Sequence, residues 1–268
     1  MKYPLISDSH VHSDSSRDAN DPVMMMCESA ARLGFYSITI TDHCECNVYH
    51  SEFYDRSTRQ SYFETRKAAM VFNSRLHVYA GVELGQAVQD QAAAEDILNA
   101  CDFDFVLASV HNIRNFPDFY EIDYNQVDVD DILNRYFDEL LETIAWGKFD
   151  SLAHLTYPWR YLNAKKKLPI NMYKKRIDEV LNALIAKNKA LEINTSGLRQ
   201  KLGTTMPDLP ILTRYRELGG KLITIGSDAH RWADVGGGIE QGFSILCSAG
   251  FHHFTVYQHH EPIMLPIE

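Results

Sequence analysis

Histidines and carboxylates recur at one phase of this 268-residue chain. His10 and His12 follow a first apolar run, His43 ends a second, Glu83 a third, His111 a fourth and His154 a fifth. Glu192 and Asn194 close the sixth, and Asp228 and His230 the seventh. Imidazole and carboxylate together are the donors that hold Zn²⁺, Mn²⁺ or Fe²⁺. An H-x-H pair on extended backbone puts two rings on one face, where both can grip one ion. Singly, each residue says little; their shared phase with the strand pattern is the signal. So many candidates predict more than one divalent ion. Such a cluster would lower the pKa of a bridging water, giving a hydroxide that attacks phosphorus in line while the metals neutralise the phosphoryl oxygens.

The elements that must position these groups are legible from period and punctuation. Short β-branched runs, LIS near Leu5, YSITIT, LHVYAGVE, FDFVLASVH, FDSLAHLT, ALEINTS and KLITIGSD, read as strands. Between them, 22–33, 62–73, 92–100, 129–146, 172–187 and 209–218 read as helices, with Gly34, Gly147 and Gly219 as C-terminal stops. This is β–α repeated about seven times. Parallel strands with helical crossovers either close into a barrel or spread into a doubly wound sheet. A barrel is preferred, because it opens all its strand C-termini onto one face and gathers the ligand candidates there. No linker divides the chain, so one domain over residues 1–268 is expected. The stretch from Cys44 to Arg59 reads as the longest irregular segment near the start and a substrate-side lid. His50, His77, His252, His253, His259 and His260 fall outside the pattern and read as surface or structural residues.

Composition narrows the classes. A hydrophobic fraction of 45% with 23% charged residues is that of an ordinary globular chain. A net charge of −10 argues against a protein that tracks nucleic-acid phosphates. A small anionic substrate stays compatible, since bound cations reverse the local field. MKYPLISDSHVHS has no signal-peptide core, and no run of about 18 apolar residues reads as a membrane span. A cytoplasmic location without membrane partners is therefore expected. The five cysteines make no disulfide framework, and Cys44-x-Cys46 lacks the second pair of a structural zinc site.

Asp8-Ser-His-Val-His12-Ser, Thr41-Asp42-His43, Gly81-Val82-Glu83, Ser109-Val110-His111, His154-Leu155-Thr156 and Gly226-Ser-Asp-Ala-His230 resemble, in order, the motifs of the PHP (polymerase and histidinol phosphatase) family. The resemblance runs from about Asp8 to His230. It implies a distorted (β/α)7 TIM-like barrel of the α/β class with a trinuclear metal centre. Position by position, His10, His12, Glu83 and Asp228 would hold one ion. Glu83 would bridge to a second held by His111 and His154, and Asp18, His43 and His230 would hold a third. Asp14 and Asp21 share the loop of Asp18, which the family spacing selects.

Glu192-Ile-Asn-Thr-Ser-Gly-Leu-Arg199 resembles the histidinol-phosphatase branch. What that implies is hydrolysis of L-histidinol phosphate to L-histidinol and phosphate, a step of histidine biosynthesis. Arg160 and Arg199 leave the functional face and are candidate phosphate contacts, since guanidinium matches phosphate oxygens with two prongs. Tyr157 and Trp159 are candidates to pack on the substrate imidazole, although loop aromatics more often fill local core. Asp18 or His230 would protonate the departing alkoxide. Three rivals stay open: another PHP phosphoesterase acting on a nucleotide or sugar phosphate, an amidohydrolase-type barrel, and a non-catalytic metal-binding domain. The second is disfavoured because no lysine ends a candidate strand.

Overall fold

The computed structural model describes residues 3–162 and 169–268. Among the described residues ten strands and eight α-helices follow in chain order: β1 Ser7–Val11, α1 Val23–Arg32, β2 Ser37–Ile40, β3 His43–Glu45, α2 Tyr54–Phe72, β4 His77–Gly85, α3 Gln91–Ala100, β5 Phe105–Ser109, α4 Val129–Trp146, β6 Ser151–Leu152, α5 Lys174–Ala186, β7 Ala190–Asn194, α6 Ser196–Arg199, α7 Leu209–Glu217, β8 Ile223–Gly226, α8 Ile239–Ser248, β9 His253–Gln258 and β10 Glu261–Pro266. The sheet order β1-β2-β4-β5-β6-β7-β8 is parallel throughout. β3 pairs with the same edge of β4 as β2, six residues further on, so together they make one barrel strand broken at Thr41-Asp42. The last gap is bridged by Val11 against Ala229, with Asp228 N–H donating to His10 O at 2.8 Å and His12 N–H to Ala229 O at 2.9 Å. Seven strand positions thus form a nearly closed, distorted (β/α)7 barrel.

Local chemistry explains most boundaries. Asp90, Asp128 and Asp208 cap α3, α4 and α7 by accepting from N–H groups of the first turn. Gly34, Gly147 and Gly219 all take the left-handed backbone expected of helix stops, at φ 71, 75 and 99°. Gly226 serves closeness instead: a β-carbon there would meet His10 Cβ at 2.2 Å and Glu192 Oε1 at 2.7 Å.

Three expectations change. The helix expected over 62–73 starts at Tyr54, because its buried stripe is largely hydroxylic: Tyr54, Thr58, Ser61, Thr65, Ala68 and Phe72. Helical spacing is present there, but polar residues disguise it. The Cys44–Arg59 stretch is correspondingly ordered into β3, a short 3-10 turn at Cys46–Val48 and the first turns of α2. Further along, among the described residues, a long irregular connection runs between Ser109 and Val129. Finally, β9 and β10 form an antiparallel hairpin that the strand reading did not include. Its Tyr257 ring stacks on Phe105 at 5.4 Å, and its turn meets Asp104 and Asp150 just before β5 and β6.

Candidate metal centre

Strand alternation places His10 and His12 on one face of β1 and its continuation, with their Nε2 atoms 3.0 Å apart. Each ring is aimed from behind. Glu192 Oε1 on β7 lies 2.6 Å from His10 Nδ1, and Ser16 Oγ lies 3.2 Å from His12 Nδ1, which leaves both Nε2 atoms facing inward. The first strand therefore contains His10 rather than ending before it.

Glu83 is the hub. Its Oε2 lies 3.3 and 3.4 Å from Nε2 of His10 and His12 and 2.9 Å from His43 Nδ1. Its Oε1 lies 2.9 and 3.1 Å from Nε2 of His154 and His111. Asp228, held at φ 54°, brings Oδ1 to 3.5 Å from His12 Nε2 and 3.8 Å from His10 Nε2. Asp18 spans His230 and His43, at 3.0 and 3.7 Å. Of the three aspartates in that loop, it alone lines the cavity; Asp21 instead accepts from Trp232 N–H. All nine sequence candidates, His10, His12, Asp18, His43, Glu83, His111, His154, Asp228 and His230, thus converge at the C-terminal end of the strands.

These groups crowd without satisfying one another. Glu83 Oε2 and His43 Nδ1 are buried and close, yet among the described residues neither has a hydrogen bond of proper geometry, and His154 Nδ1 has none either. His111 and His154 turn their Nε2 atoms to each other at 3.4 Å. Three sets lie within 4.8 Å: His10, His12 and Glu83; His43, Glu83 and His111; His12, His43 and His230. His43 therefore stands between two clusters. Donor atoms gathered on common points, with orphans among them, fit divalent cations.

The charges agree with the geometry. Burial alone would depress the His10 pKa, but Glu192, Glu83 and Asp228 outweigh it and lift it well above the ordinary value. Against the same burial, Glu83 and Asp18 raise His43, and Glu45 and Glu83 raise His111. Burial would raise Glu83 and Asp228, yet the surrounding imidazoles hold both well below the usual carboxylate range. His12 goes the other way, lowered by burial and by His230 and His43. Glu83 and Asp228 therefore stay ionised and call for cations, so binding of a metal would displace protons from the imidazoles around them.

The cavity above the centre measures about 830 Å³. Arg160 lines it, its Nη1 4.0 Å from Asp228 Oδ2 and its guanidinium over the rings of Tyr157 and Tyr161. Tyr157 also lines it, 4.8 Å from the His154 ring. Arg199 does not. Its Nη1 donates to Gly237 O and its Nη2 to Ser227 O, both at 2.8 Å, so it braces the loop that carries Asp228 and His230 instead of facing substrate. Trp159 is likewise absent from the cavity wall, packed among Phe137 and Tyr173. Several contributors went unnoticed in the sequence, Gln86 and Tyr161 among them. Glu45 holds His111 Nδ1 at 2.9 Å and repeats, relative to His43, the i, i+2 spacing of His10 and His12. The 110–128 connection supplies Asn112, Phe116, Asp118, Tyr120 and Glu121 to the outer wall and has no period to betray it.

The sequence matches the PHP domain family over residues 8–196. It is 31% identical over 250 residues to a probable histidinol-phosphatase of Thermotoga maritima, covering 93% of this chain and 94% of that protein. It is 26% identical over 253 residues to the histidinol-phosphatase of Lactococcus lactis, 93% of each. The crystal structure of the Lactococcus lactis histidinol phosphate phosphatase, complexed with zinc, L-histidinol and phosphate, superimposes with a TM-score of 0.82 at 25% identity, covering 96% of this chain and 98% of that one.

Proposed function

The chain belongs to the PHP domain family, and from that premise we propose that it is a metal-dependent phosphomonoesterase that hydrolyses L-histidinol phosphate to L-histidinol and inorganic phosphate, a step of histidine biosynthesis. The observation that carries the reading is the convergence of Glu83 with five imidazoles, several of their donor atoms unsatisfied, beneath an open cavity. The similarity across nearly the whole of a zinc, L-histidinol and phosphate complex supports the substrate.

We assign three divalent ions, Zn²⁺, Mn²⁺ or Fe²⁺, to the nine ligands: His10, His12, Glu83 and Asp228; Glu83, His111 and His154; and Asp18, His43 and His230. Bound there, such ions supply an activated water at neutral pH and neutralise charge on a phosphoryl group. The protein's own residues do the rest. Arg160 offers its guanidinium to a phosphoryl oxygen and fixes the ester's orientation. Asp18 and His230, 3.0 Å apart on the cavity wall, are the pair we assign to guiding a proton to the departing alkoxide. Glu45, Glu52, Asp118 and Glu121 line the outer cavity beside Tyr54, Tyr120 and Tyr161, a wall suited to a cationic, ring-bearing leaving group. The residues 1–268 act as one unit in this reading. Among the described residues no helix is long and apolar enough to cross a membrane.

The test is phosphate release from L-histidinol phosphate beside a panel of nucleoside and sugar phosphates, using protein supplied with Mn²⁺ or Zn²⁺ and a His111→Ala control. A preference for histidinol phosphate that the control loses is expected. Strong turnover of another phosphate would overturn the substrate and keep the family chemistry.

A further inference from the structure

One buried polar group in the cavity wall is left unused by the chemistry above. Gln86 directly follows β4 and takes a left-handed backbone at φ 51°, which a β-carbon disfavours. Its N–H is spent on Ser109 O at 3.1 Å. The side chain is 1% exposed, lines the cavity, and its Oε1 finds no hydrogen-bond partner among the described residues. Strand alternation alone would send residue 86 the way of Leu84, to the helix side; the left-handed turn breaks that alternation. Both the strain and the orphaned acceptor are unfavourable for the empty fold, and such expense clusters where a ligand makes use of it.

The neighbour of Gln86 is arranged to the same end. Glu45 pairs with Gly85 across the β3–β4 ladder, and a β-carbon on Gly85 would fall 2.2 Å from Glu45 Oε2. Glycine at that position is what lets the carboxylate lie across the backbone one residue from Gln86. This corner of the wall therefore sets the Gln86 carboxamide, its oxygen unpartnered among the described residues, beside the Glu45 carboxylate, one oxygen of which already meets His111 Nδ1 at 2.9 Å, while the guanidinium of Arg160 lies elsewhere on the lining. An ester with phosphate at one end and N–H donors at the other is read by those two features.

We infer that Gln86 is a specificity-determining residue, its carboxamide oxygen accepting an N–H of the leaving group, the ammonium or imidazole of the amino alcohol, with Glu45 supplying negative charge beside it. The inference rests on the reading of the substrate as L-histidinol phosphate.

The test compares kcat/KM for L-histidinol phosphate with that for p-nitrophenyl phosphate, whose leaving group has no N–H, in the metal-loaded wild type, Gln86→Met and Gln86→Gly. A lost hydrogen bond to a charged or polar donor should lower the ratio about ten- to a hundredfold in both variants, mainly through KM for histidinol phosphate. Gln86→Gly also relieves the backbone, so its thermal midpoint should equal or exceed the wild type's, which keeps the result separate from misfolding. An unchanged ratio in both variants overturns the inference, as does an equal fall for both substrates accompanied by lost metal. If the wild type ignores histidinol phosphate while hydrolysing another phosphate, the substrate reading falls and takes this inference with it; a selective wild type with unaltered variants sinks the role of Gln86 alone.

Discussion

The two ends of the barrel carry the same kinds of side chain and use them oppositely. At the N-terminal end, Asp104 and Asp150 meet His259 and His260 in the turn of the C-terminal hairpin, and each carboxylate is satisfied locally. Asp104 accepts from Ala80 N–H at 2.9 Å and His259 N–H at 3.2 Å, while Asp150 Oδ2 accepts from Val106 N–H at 2.8 Å and meets His260 Nδ1 at 2.9 Å. At the C-terminal end, Glu83 alone lies against five imidazoles from four different strands or strand ends, with one oxygen unsatisfied. The difference teaches that a His–carboxylate pair marks function by what it leaves over. Where the backbone consumes the acceptors, the pair is a latch; where acceptors and lone pairs outnumber protons, it is a site.

The sharpest way to break this contrast is Glu83→Gln. If the C-terminal cluster is a metal centre, removing its shared charge should lower phosphatase activity by about a thousandfold or more and reduce bound metal, read by elemental analysis of the purified protein. Retained metal and activity would make the cluster another latch.

The buried carboxylate next in line, Asp42, tests the same rule from the other side. It precedes His43 but is saturated, accepting from Ser13 N–H and Oγ and Ser16 Oγ at 2.6 Å and from Ser61 Oγ at 2.5 Å. Asp42→Asn should therefore act on folding: a loss of about 2–3 kcal/mol in denaturant unfolding of the metal-free protein. Loss of metal without loss of stability would put Asp42 among the functional groups.

These same contrasts explain how much could be read beforehand. The barrel and the nine converging donors were legible because strand periodicity and ligand identity coincide residue by residue, as in His10-x-His12 or Ser109-Val110-His111. What escaped depends on partners that sequence does not display. Arg199 starts from the functional face, as expected, but three carbonyl contacts with the Ser227–Asp228 segment and Gly237 claim its guanidinium. The hydroxyl stripe of α2 hid eight residues of helix, since Thr58 and Ser61 bury polar groups that bond to His43 O and Asp42. The hairpin did carry a signal, alternation in HFTVYQ, but its turn has His259 and His260 at φ 50 and 63° where glycine or asparagine would announce it.

Within the site, Arg160 and Arg199 make a smaller version of the comparison. Arg160→Lys keeps the charge and loses the fork, so KM for the phosphomonoester should rise about tenfold with the unfolding midpoint little changed. Arg199→Lys should instead lower the unfolding midpoint, because its fixed contacts are to backbone. Reversal of the two results would return Arg199 to the substrate.

The weakest effect is expected at the opposite end. The hydrogen bond to Asp150 outweighs burial and, with the charges of Asp150, Asp102 and Asp104, raises the His260 pKa above its ordinary value near 6.5. A raised folded-state pKa means that the pair contributes fully below about pH 6.5 and that its contribution fades as pH climbs through the folded value. His260 is half exposed, so solvent screening limits the contribution to about 0.5 kcal/mol. The stability difference between wild type and His260→Gln should therefore be largest near pH 6 and shrink as pH climbs through the folded value, with phosphatase activity unaffected across that range. A difference that widened with pH would reverse the sign of the argument. A parallel change in turnover would mean that the two ends of the barrel are not the separate devices their hydrogen bonds describe.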